Sequence, residues 1–312
     1  MSAVQTANTV FAVRPVRFQS NPLTRASNAF QAREPLANAV ESNRIARAQF
    51  DGLVDVLDRC GVQCLVFDDT SEPHTPDSIF PNNWISTHTD GRVVLYPMEA
   101  PNRRTERRQD IIESLQHRAG FVVSETVDLS PLENDGVFLE GTGSLVLDRG
   151  EQVAYACLST RTHQTALDAF DEALGYQSIR FRAADVNGLP VYHTNVMMCV
   201  GADFAVVCDA SIIEEDREQV LANLERTGKQ LIQISHAQMN AFAGNMLALR
   251  DSDGESVIAL SQQAFDSLAD GQQRLLESFG NLAIADIAHI EQESGGSVRC
   301  MLAEVHFPTA RQ

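Results

Sequence analysis

The chain has 312 residues, of which 44% are hydrophobic and 21% charged, a composition that supports a packed core and excludes a disordered chain. Its formal net charge of -18 argues against nucleic acid as a partner, because a phosphate backbone requires clustered Lys and Arg. The six cysteines do not suggest a disulfide scaffold, which favours a reducing compartment and a cytoplasmic location.

Short apolar strands alternate with amphipathic helices along the chain, as is typical of an α/β fold. The strand-like runs are residues 10–16, 64–67, 93–96, 143–148, 153–157, 196–200, 204–208, 246–250 and 257–260. Apolar residues spaced three and four apart predict the helices, which are residues 39–59, 104–119, 162–174, 214–226 and 261–279.

Several neighbouring strands are separated by short turns and therefore predict antiparallel hairpins. The clearest of these hairpins joins residues 143–147 to residues 153–157 through a turn that contains Gly150. Each hairpin is followed by a helix and another short strand, so the chain carries an irregular structural repeat. We favour this repeat over the alternative, which is an irregular α+β domain.

Neither a targeting segment nor an interdomain linker is visible in the sequence. Residues 1–15 contain no apolar stretch behind a basic start, so we expect no signal peptide. The most apolar long segment, residues 195–213, carries Asp203 and Asp209 and is too polar to cross a bilayer. We therefore expect a single domain over residues 1–312 that contacts no membrane.

A cysteine and a histidine carry the predicted chemistry. Cys300 follows a glycine-rich turn, which can expose a thiol, and the neighbouring Arg299 can favour its thiolate form. A thiolate nucleophile needs an acid/base partner, usually histidine, and His193 stands directly before an apolar strand. Taken singly, each residue also has a structural interpretation, as a buried thiol or a hydrogen-bonded histidine.

Five short motifs occur in a fixed order, at residues 80–84 (FPNNW), 139–143 (LEGTG), 158–162 (LSTRT), 193–195 (HTN) and 299–301 (RCM). In this order they resemble the guanidino-group-modifying (pentein) superfamily, which includes arginine deiminase, dimethylarginine hydrolase and the amidinotransferases. The resemblance covers nearly the whole chain. It implies an α/β-propeller of five hairpin-containing ββαβ units around a pseudo-fivefold axis.

The resemblance implies catalytic roles for three residues. Cys300 matches the nucleophile and His193 matches the general acid/base. Glu140 matches the carboxylate that binds either the histidine or the substrate nitrogen, and that keeps the imidazole in its working orientation.

The resemblance also implies a set of substrate-binding residues. Arg161 matches the arginine that binds a substrate α-carboxylate, for which its planar guanidinium is suited. Arg103 or Arg104 matches a second carboxylate-binding position, and the sequence leaves open which of the two faces inward. Asp77 is a further candidate for binding the substrate.

The sequence departs from the superfamily at two aspartates that hold a guanidinium in the deiminases. Asn195 stands in place of the aspartate of the H-x-D motif, and Asn83, or its neighbour Asn82, stands in place of that of F-x-x-D. A guanidinium consists of donors and carries a charge that two amides cannot balance, whereas an amide can both donate to and accept from a neutral ureido group. The double change therefore indicates citrulline, and the pattern resembles the citrulline-utilisation hydrolase branch.

The sequence thus predicts a cysteine-dependent hydrolase that converts the ureido group of citrulline to ornithine, ammonia and carbon dioxide through a thiocarbamoyl-enzyme. We expect a small-molecule substrate and neither a metal nor an organic cofactor, and a homo-oligomer is compatible with the sequence. The alternatives are an arginine deiminase, a dimethylarginine-type hydrolase, an amidinotransferase and a non-catalytic amino-acid binder. The presence of Cys300, His193 and Glu140 together argues against the last of these.

Overall fold

The computed structural model describes residues 4–306, whose strands form five three-stranded sheets. The strands are β1 (Thr9–Arg14), β2 (Gln63–Asp68), β3 (Ile85–Thr87), β4 (Arg92–Leu95), β5 (Glu125–Asp128), β6 (Leu145–Asp148), β7 (Val153–Cys157), β8 (Gln177–Phe181), β9 (Met198–Val200), β10 (Phe204–Val207), β11 (Gln230–Gln233), β12 (Leu247–Arg250), β13 (Ser256–Ser261), β14 (Asn281–Ala285) and β15 (Ala303–Glu304).

The helices differ widely in length. They are α1 (Ala39–Arg59), α2 (Gln109–Ala119), α3 (Gly141–Ser144), α4 (Gln164–Leu174), α5 (Thr194–Met197), α6 (Glu214–Arg226), α7 (His236–Asn240), α8 (Gln262–Ser267), α9 (Asp270–Glu277), α10 (Ala288–Ser294) and α11 (Val298–Met301). Within residues 4–306, no helix combines the length and the apolar character that a membrane span requires.

All five sheets follow one plan. The central strand pairs antiparallel with one neighbour and parallel with the other, and a helical crossover joins the parallel pair, as α2 joins β4 to β5. The sheet β15-β1-β2 is completed from both ends of the chain, because β15 pairs antiparallel with β1. The predicted fold of five ββαβ units is therefore confirmed, and the irregular α+β alternative is wrong.

The long helices pack one apolar side onto the sheets. Helix α1 begins after Asn38, whose side chain accepts a hydrogen bond from the Glu41 N–H and so caps the first turn. Its residues Ala46, Phe50 and Leu53 recur at intervals of three and four and are fully buried. Strand β7 is buried along its whole length, since helices cover one side of the sheet and neighbouring units the other.

The structure corrects several predicted boundaries. The helix predicted over residues 104–119 is a 3₁₀ segment, Pro101–Glu106, followed by α2. The helix predicted over residues 261–279 is two helices, α8 and α9, because Leu268 is extended and turns into the core. A short strand after the helix of each unit was expected, but four of these, β5, β8, β11 and β14, were not located in the sequence because their patterns are short and partly exposed.

Two predicted strands begin later than expected, and the helical turns that precede them lie at the candidate site. Residues 141–144 and 194–197 form the helical turns α3 and α5, and only then do β6 and β9 begin. His193 therefore precedes a helical turn and not a strand. The pattern of apolar residues does not reveal this change, because buried turns and buried strands are equally apolar.

Candidate active site

The first strand of each unit is preceded by a turn, and these turns meet in the interior. Helix α3 packs against both α5 and the 3₁₀ turn Pro81–Asn83, which also contacts α11. The turn before β12 is tied to α5 and α11 by hydrogen bonds of Asn245. At the equivalent place in the five units, two or three residues before the strand, stand Asn83, Gly143, Asn195, Asn245 and Cys300.

Cys300 is 4% exposed and lines a small buried cavity together with His193. Its sulfur is contacted by the side-chain amide nitrogens of two asparagines. The Nδ2–Sγ distance is 3.4 Å for Asn195 and 3.3 Å for Asn245. Both amides are buried, so the sulfur has hydrogen-bond donors that bulk water does not displace.

His193 and Glu140 form a buried pair. The distance from His193 Nε2 to Glu140 Oε2 is 2.8 Å, which favours the tautomer that carries its hydrogen on Nε2. Burial opposes ionisation of Glu140, but Arg161 and His193 outweigh it and hold the pKa of this carboxyl well below its usual value. Burial lowers the pKa of His193, although Glu140 opposes this shift. At neutral pH the imidazole is thus neutral, with Nδ1 available as a base.

Two glycines of the LEGTG motif leave space for these side chains. A Cβ on Gly143 would lie 2.8 Å from His193 Nδ1 and 2.4 Å from Asn83 Nδ2, well inside contact distance. Gly141 has a φ of +47° and a Cβ there would lie 2.2 Å from the Asn82 carbonyl oxygen. Glycine in this motif therefore allows the side chains of His193 and Asn83 to lie close to the backbone.

Of the two neighbouring arginines, Arg103 lines the cavity. Its guanidinium is buried and donates to Asn83 Oδ1 at 2.8 Å and to Glu106 at 2.9 Å. Its Nε lies 3.7 Å from the Asp77 carboxylate. Arg104 is half-buried and donates to backbone carbonyl groups outside the cavity, so its predicted contact with substrate is not supported.

Arg161 also lines the cavity and is held from several sides. Its guanidinium donates to Glu140 at 3.3 Å, to Ser27 Oγ at 2.8 Å and to the Thr24 carbonyl at 3.2 Å. It lies 4.9 Å from the centre of the Tyr192 ring, within range of a cation–π interaction. Residues 15–38, a loop without helix or strand, thus supply groups that bond Arg161 directly.

This loop covers the cavity, whose walls include Thr24 and Asn28. The free volume is about 20 Å³, which is room for about one water molecule. An amino acid can therefore bind only when part of this lining moves.

The structure brings most of the predicted residues together. Those lining the cavity are Cys300, His193, Asn83, Arg161, Arg103 and Asp77. Glu140 lies behind His193, and Asn195 contacts the sulfur. Asn82 is buried outside the cavity, where its Oδ1 accepts a hydrogen bond from Asn83.

Sequence reasoning missed Glu106 and Asn245. Glu106 pairs with Arg103 over an interval of three residues, which looks like an ordinary helical ion pair. A signal for Asn245 was present, because Asn83, Asn195 and Asn245 each stand just before an apolar strand in the repeating unit.

The fold and the comparisons place the protein among the hydrolases of the guanidino-modifying superfamily, which act on carbon–nitrogen bonds. A family model described as eukaryotic N,N-dimethylarginine dimethylhydrolase matches residues 14–307, and the chain belongs to this family. The predicted superfamily and the predicted class of enzyme are both confirmed.

Solved structures with low sequence identity share the fold. The N-terminal domain of ArgZ, an arginine dihydrolase from the ornithine–ammonia cycle in cyanobacteria, is 15% identical, with a TM-score of 0.73 and coverage of 97% of this chain and 99% of that domain. Unliganded AgrE is 16% identical with a TM-score of 0.73, and the match covers 97% of this chain and 40% of AgrE. A dimethylarginine dimethylaminohydrolase in an adduct with S-methyl-L-thiocitrulline is 15% identical, with a TM-score of 0.63 and coverage of 97% and 100%. The search of curated proteins finds no match.

Proposed function

We propose that this protein hydrolyses the ureido group of citrulline to ornithine, ammonia and carbon dioxide. The observation that carries the proposal is the charge of the cavity wall. Among the described residues that line it, Asp77 is the sole carboxylate, whereas Arg103 and Arg161 both contribute guanidinium groups.

This balance suits a substrate with an anionic end and a neutral end. A guanidinium substrate would have to compete with Arg103 for Asp77, and a buried cation without its own carboxylate costs several kcal/mol. The α-carboxylate of citrulline would instead meet Arg161 or Arg103. Its ureido group would meet the amides near Cys300, which can donate to the carbonyl oxygen and accept from the nitrogens.

The reaction would begin with the Cys300 thiolate, formed by proton transfer to His193. The sulfur would attack the ureido carbon, and the side-chain amide of Asn83 and the backbone N–H of Gly296 would stabilise the developing oxyanion. The His193 imidazolium would give its proton to the departing amine of ornithine, which leaves a thiocarbamoyl group on Cys300. Neutral His193 would then take a proton from water as it attacks, releasing carbamate, which decomposes to ammonia and carbon dioxide.

A second candidate is hydrolysis of arginine, because ArgZ, whose domain shares this fold, is an arginine dihydrolase. Such a reaction consumes two waters, and its second half is the same attack on a ureido group. The family match adds dimethylarginine as a third candidate substrate. These three substrates differ at the group that faces Cys300, so one comparison separates them.

The test is to incubate the purified protein separately with citrulline, arginine and N,N-dimethylarginine. Ornithine, citrulline, ammonia and dimethylamine are then quantified, with Cys300→Ala as the inactive control. We expect ornithine from citrulline and no product from the other two. Ornithine or citrulline formed efficiently from arginine would contradict the proposal and favour the second candidate.

A substitution at Asn195 tests the reason for the specificity. Asn195→Asp should weaken citrulline hydrolysis, because an anion would face the sulfur and the ureido carbonyl. The double change Asn83→Asp with Asn195→Asp should raise the affinity for arginine even if turnover does not follow. The exposed Asn187→Asp is the matched control. Unchanged citrulline turnover in Asn195→Asp would show that this amide does not select the substrate.

A further inference from the structure

We propose that Asn245 is a further catalytic residue, which donates a hydrogen bond to the reacting sulfur of Cys300. The proposal depends on the proposed function only in taking Cys300 as the nucleophile. It does not depend on which substrate is cleaved.

The orientation of the Asn245 amide is fixed by the backbone around it. Its Oδ1 accepts a hydrogen bond from the Arg299 N–H at 3.0 Å, and its Nδ2 donates to the Asn195 carbonyl at 2.8 Å. Exchanging the oxygen and nitrogen would face donor with donor and acceptor with acceptor, so only one orientation of the amide fits. The second hydrogen on Nδ2 is then available to Cys300 Sγ, 3.3 Å away.

This geometry favours the thiolate over the thiol. An N–H donor bonds an anionic sulfur more strongly than a neutral one, and Asn245 is 1% exposed, so water does not weaken the bond. The neutral thiol forms a weaker interaction, because among residues 4–306 the acceptor for its S–H is Asn245 Oδ1, which lies 3.8 Å away and already accepts a hydrogen bond from the Arg299 N–H. The same preference would assist the last step of the reaction, when water cleaves the carbon–sulfur bond and the electron pair returns to sulfur.

The position in the repeat supports the assignment independently. Asn245 occupies in its unit the place that Cys300 and Asn195 occupy in theirs, just before the first strand. It also joins these two residues, because it bonds the backbone of Asn195 and of Arg299. Asn245 therefore fixes the sulfur relative to the amide of Asn195.

The test is the rate at which iodoacetamide alkylates Cys300, measured against pH without substrate. Asn245→Asp keeps the shape and the acceptor for Arg299 but removes the donor and adds an anion. We expect alkylation at pH 7 to slow by about 10-fold or more, the scale of one hydrogen bond to a charged group, and the profile to move to higher pH. The exposed Asn240→Asp makes the same chemical change five residues away and should match the native rate. A native rate and profile in folded Asn245→Asp would overturn the proposal.

A measurement on the native protein covers the case in which Asn245→Asp does not fold. The ¹⁵N side-chain resonance of Asn245, recorded by NMR while pH is varied, should shift as Cys300 ionises and should lose this shift in Cys300→Ala. An Asn245 resonance that does not follow Cys300 would also overturn the proposal. Neither readout requires turnover, so failure of the substrate assignment is distinguishable from failure of this one.

Discussion

Two buried polar regions adjoin at the neighbouring residues Arg299 and Cys300, and they satisfy their polar groups differently. The first is the candidate active site around Cys300. The second, the Glu304 cluster, consists of Glu304 with Arg299, Arg149 and His306. Distances from the Glu304 carboxylate are 2.9 Å to Arg299, 3.6 Å to Arg149 and 3.0 Å to His306.

In the Glu304 cluster, the charged side chains are paired with one another. Arg299 also donates to the Leu302 carbonyl and Arg149 to the Thr87 carbonyl. Burial disfavours the Glu304 carboxylate, but the two arginines outweigh burial and hold its pKa well below the usual value. Burial and the nearby Arg149 lower the pKa of His306 to about 4, so this ring is neutral at pH 7.

The candidate active site contains a buried polar atom that has no partner. Among the described residues, Asn195 Oδ1 has no hydrogen-bond partner although it is buried. Unpaired buried groups cost stability, whereas a substrate that pairs with them gains affinity. A filled network such as the Glu304 cluster therefore stabilises the fold, whereas an incomplete network next to a cavity is suited to binding and chemistry.

The largest expected effect is at the nucleophile. Cys300→Ala or Cys300→Ser should abolish turnover while the protein stays folded, since the sulfur carries the chemistry and each change removes or replaces a single side-chain atom. Turnover, circular dichroism and mass spectrometry of a trapped covalent adduct are the measurements, and the adduct should lie on Cys300 alone. Cys60→Ser, at a half-buried cysteine, is the control and should be active. Substantial activity in Cys300→Ala would refute the mechanism.

The next effect is at the acid/base pair. His193→Ala should lower turnover by about a hundredfold or more, the usual scale for loss of a general acid/base. Glu140→Gln should be severe but milder, because it leaves the imidazole in place without its carboxylate. Steady-state kinetics and the pH profile of iodoacetamide inactivation measure both, with the exposed His117→Ala as control. If the inactivation profile of His193→Ala equals that of the native protein, His193 does not act on the thiol.

A substitution in the Glu304 cluster should affect the free energy of unfolding more than the rate of the reaction. Glu304→Gln removes the anion between two buried arginines and should lower the free energy of unfolding by about 4 kcal/mol at pH 7. Because the pKa of Glu304 is depressed on folding, its stabilisation is present above about pH 4.5 and is lost as pH falls further. Urea unfolding at pH 7 and pH 4 should therefore show a smaller dependence on pH in the variant. The exposed Glu255→Gln should behave like the native protein, and an equally stable Glu304→Gln would remove the contrast between the two regions.

The smallest expected effect is at Glu291, a buried carboxyl that accepts a hydrogen bond from Ser297 Oγ at 2.6 Å, just before Cys300. Burial raises its pKa to about 7. A raised pKa means that its stabilisation is present below about pH 4.5 and is lost as pH rises through 7. Glu291→Gln should therefore be more stable than the native protein at pH 8, by at most about 3 kcal/mol, and equal to it near pH 4.

Thermal unfolding at both pH values checks this prediction. Glu277→Gln, on the exposed surface, is the matched control and should follow the native protein. If Glu291→Gln lost stability equally at both pH values, the carboxylate would be part of a satisfied network like that of Glu304.

The amino-acid sequence was sufficient to predict the plan of the fold, and it also led to the prediction of a nucleophile, a base and an orienting carboxylate. Helices α1 and α6 were predicted to their last residue, because an apolar side that recurs every three or four residues is a local property of the chain. Cys300, His193 and Glu140 could be predicted from the sequence because their motifs follow one another in a fixed order.

Only the tertiary structure decided which of two neighbouring side chains faces the cavity, as with Arg103 against Arg104 and Asn83 against Asn82. Successive residues of a 3₁₀ turn point about 120° apart, and which one faces inward depends on what the turn packs against. The contact between Asn245 and Cys300 also depends on the tertiary structure. The two are 55 residues apart in the chain, and their contact exists only because two units of the fold bring their turns together.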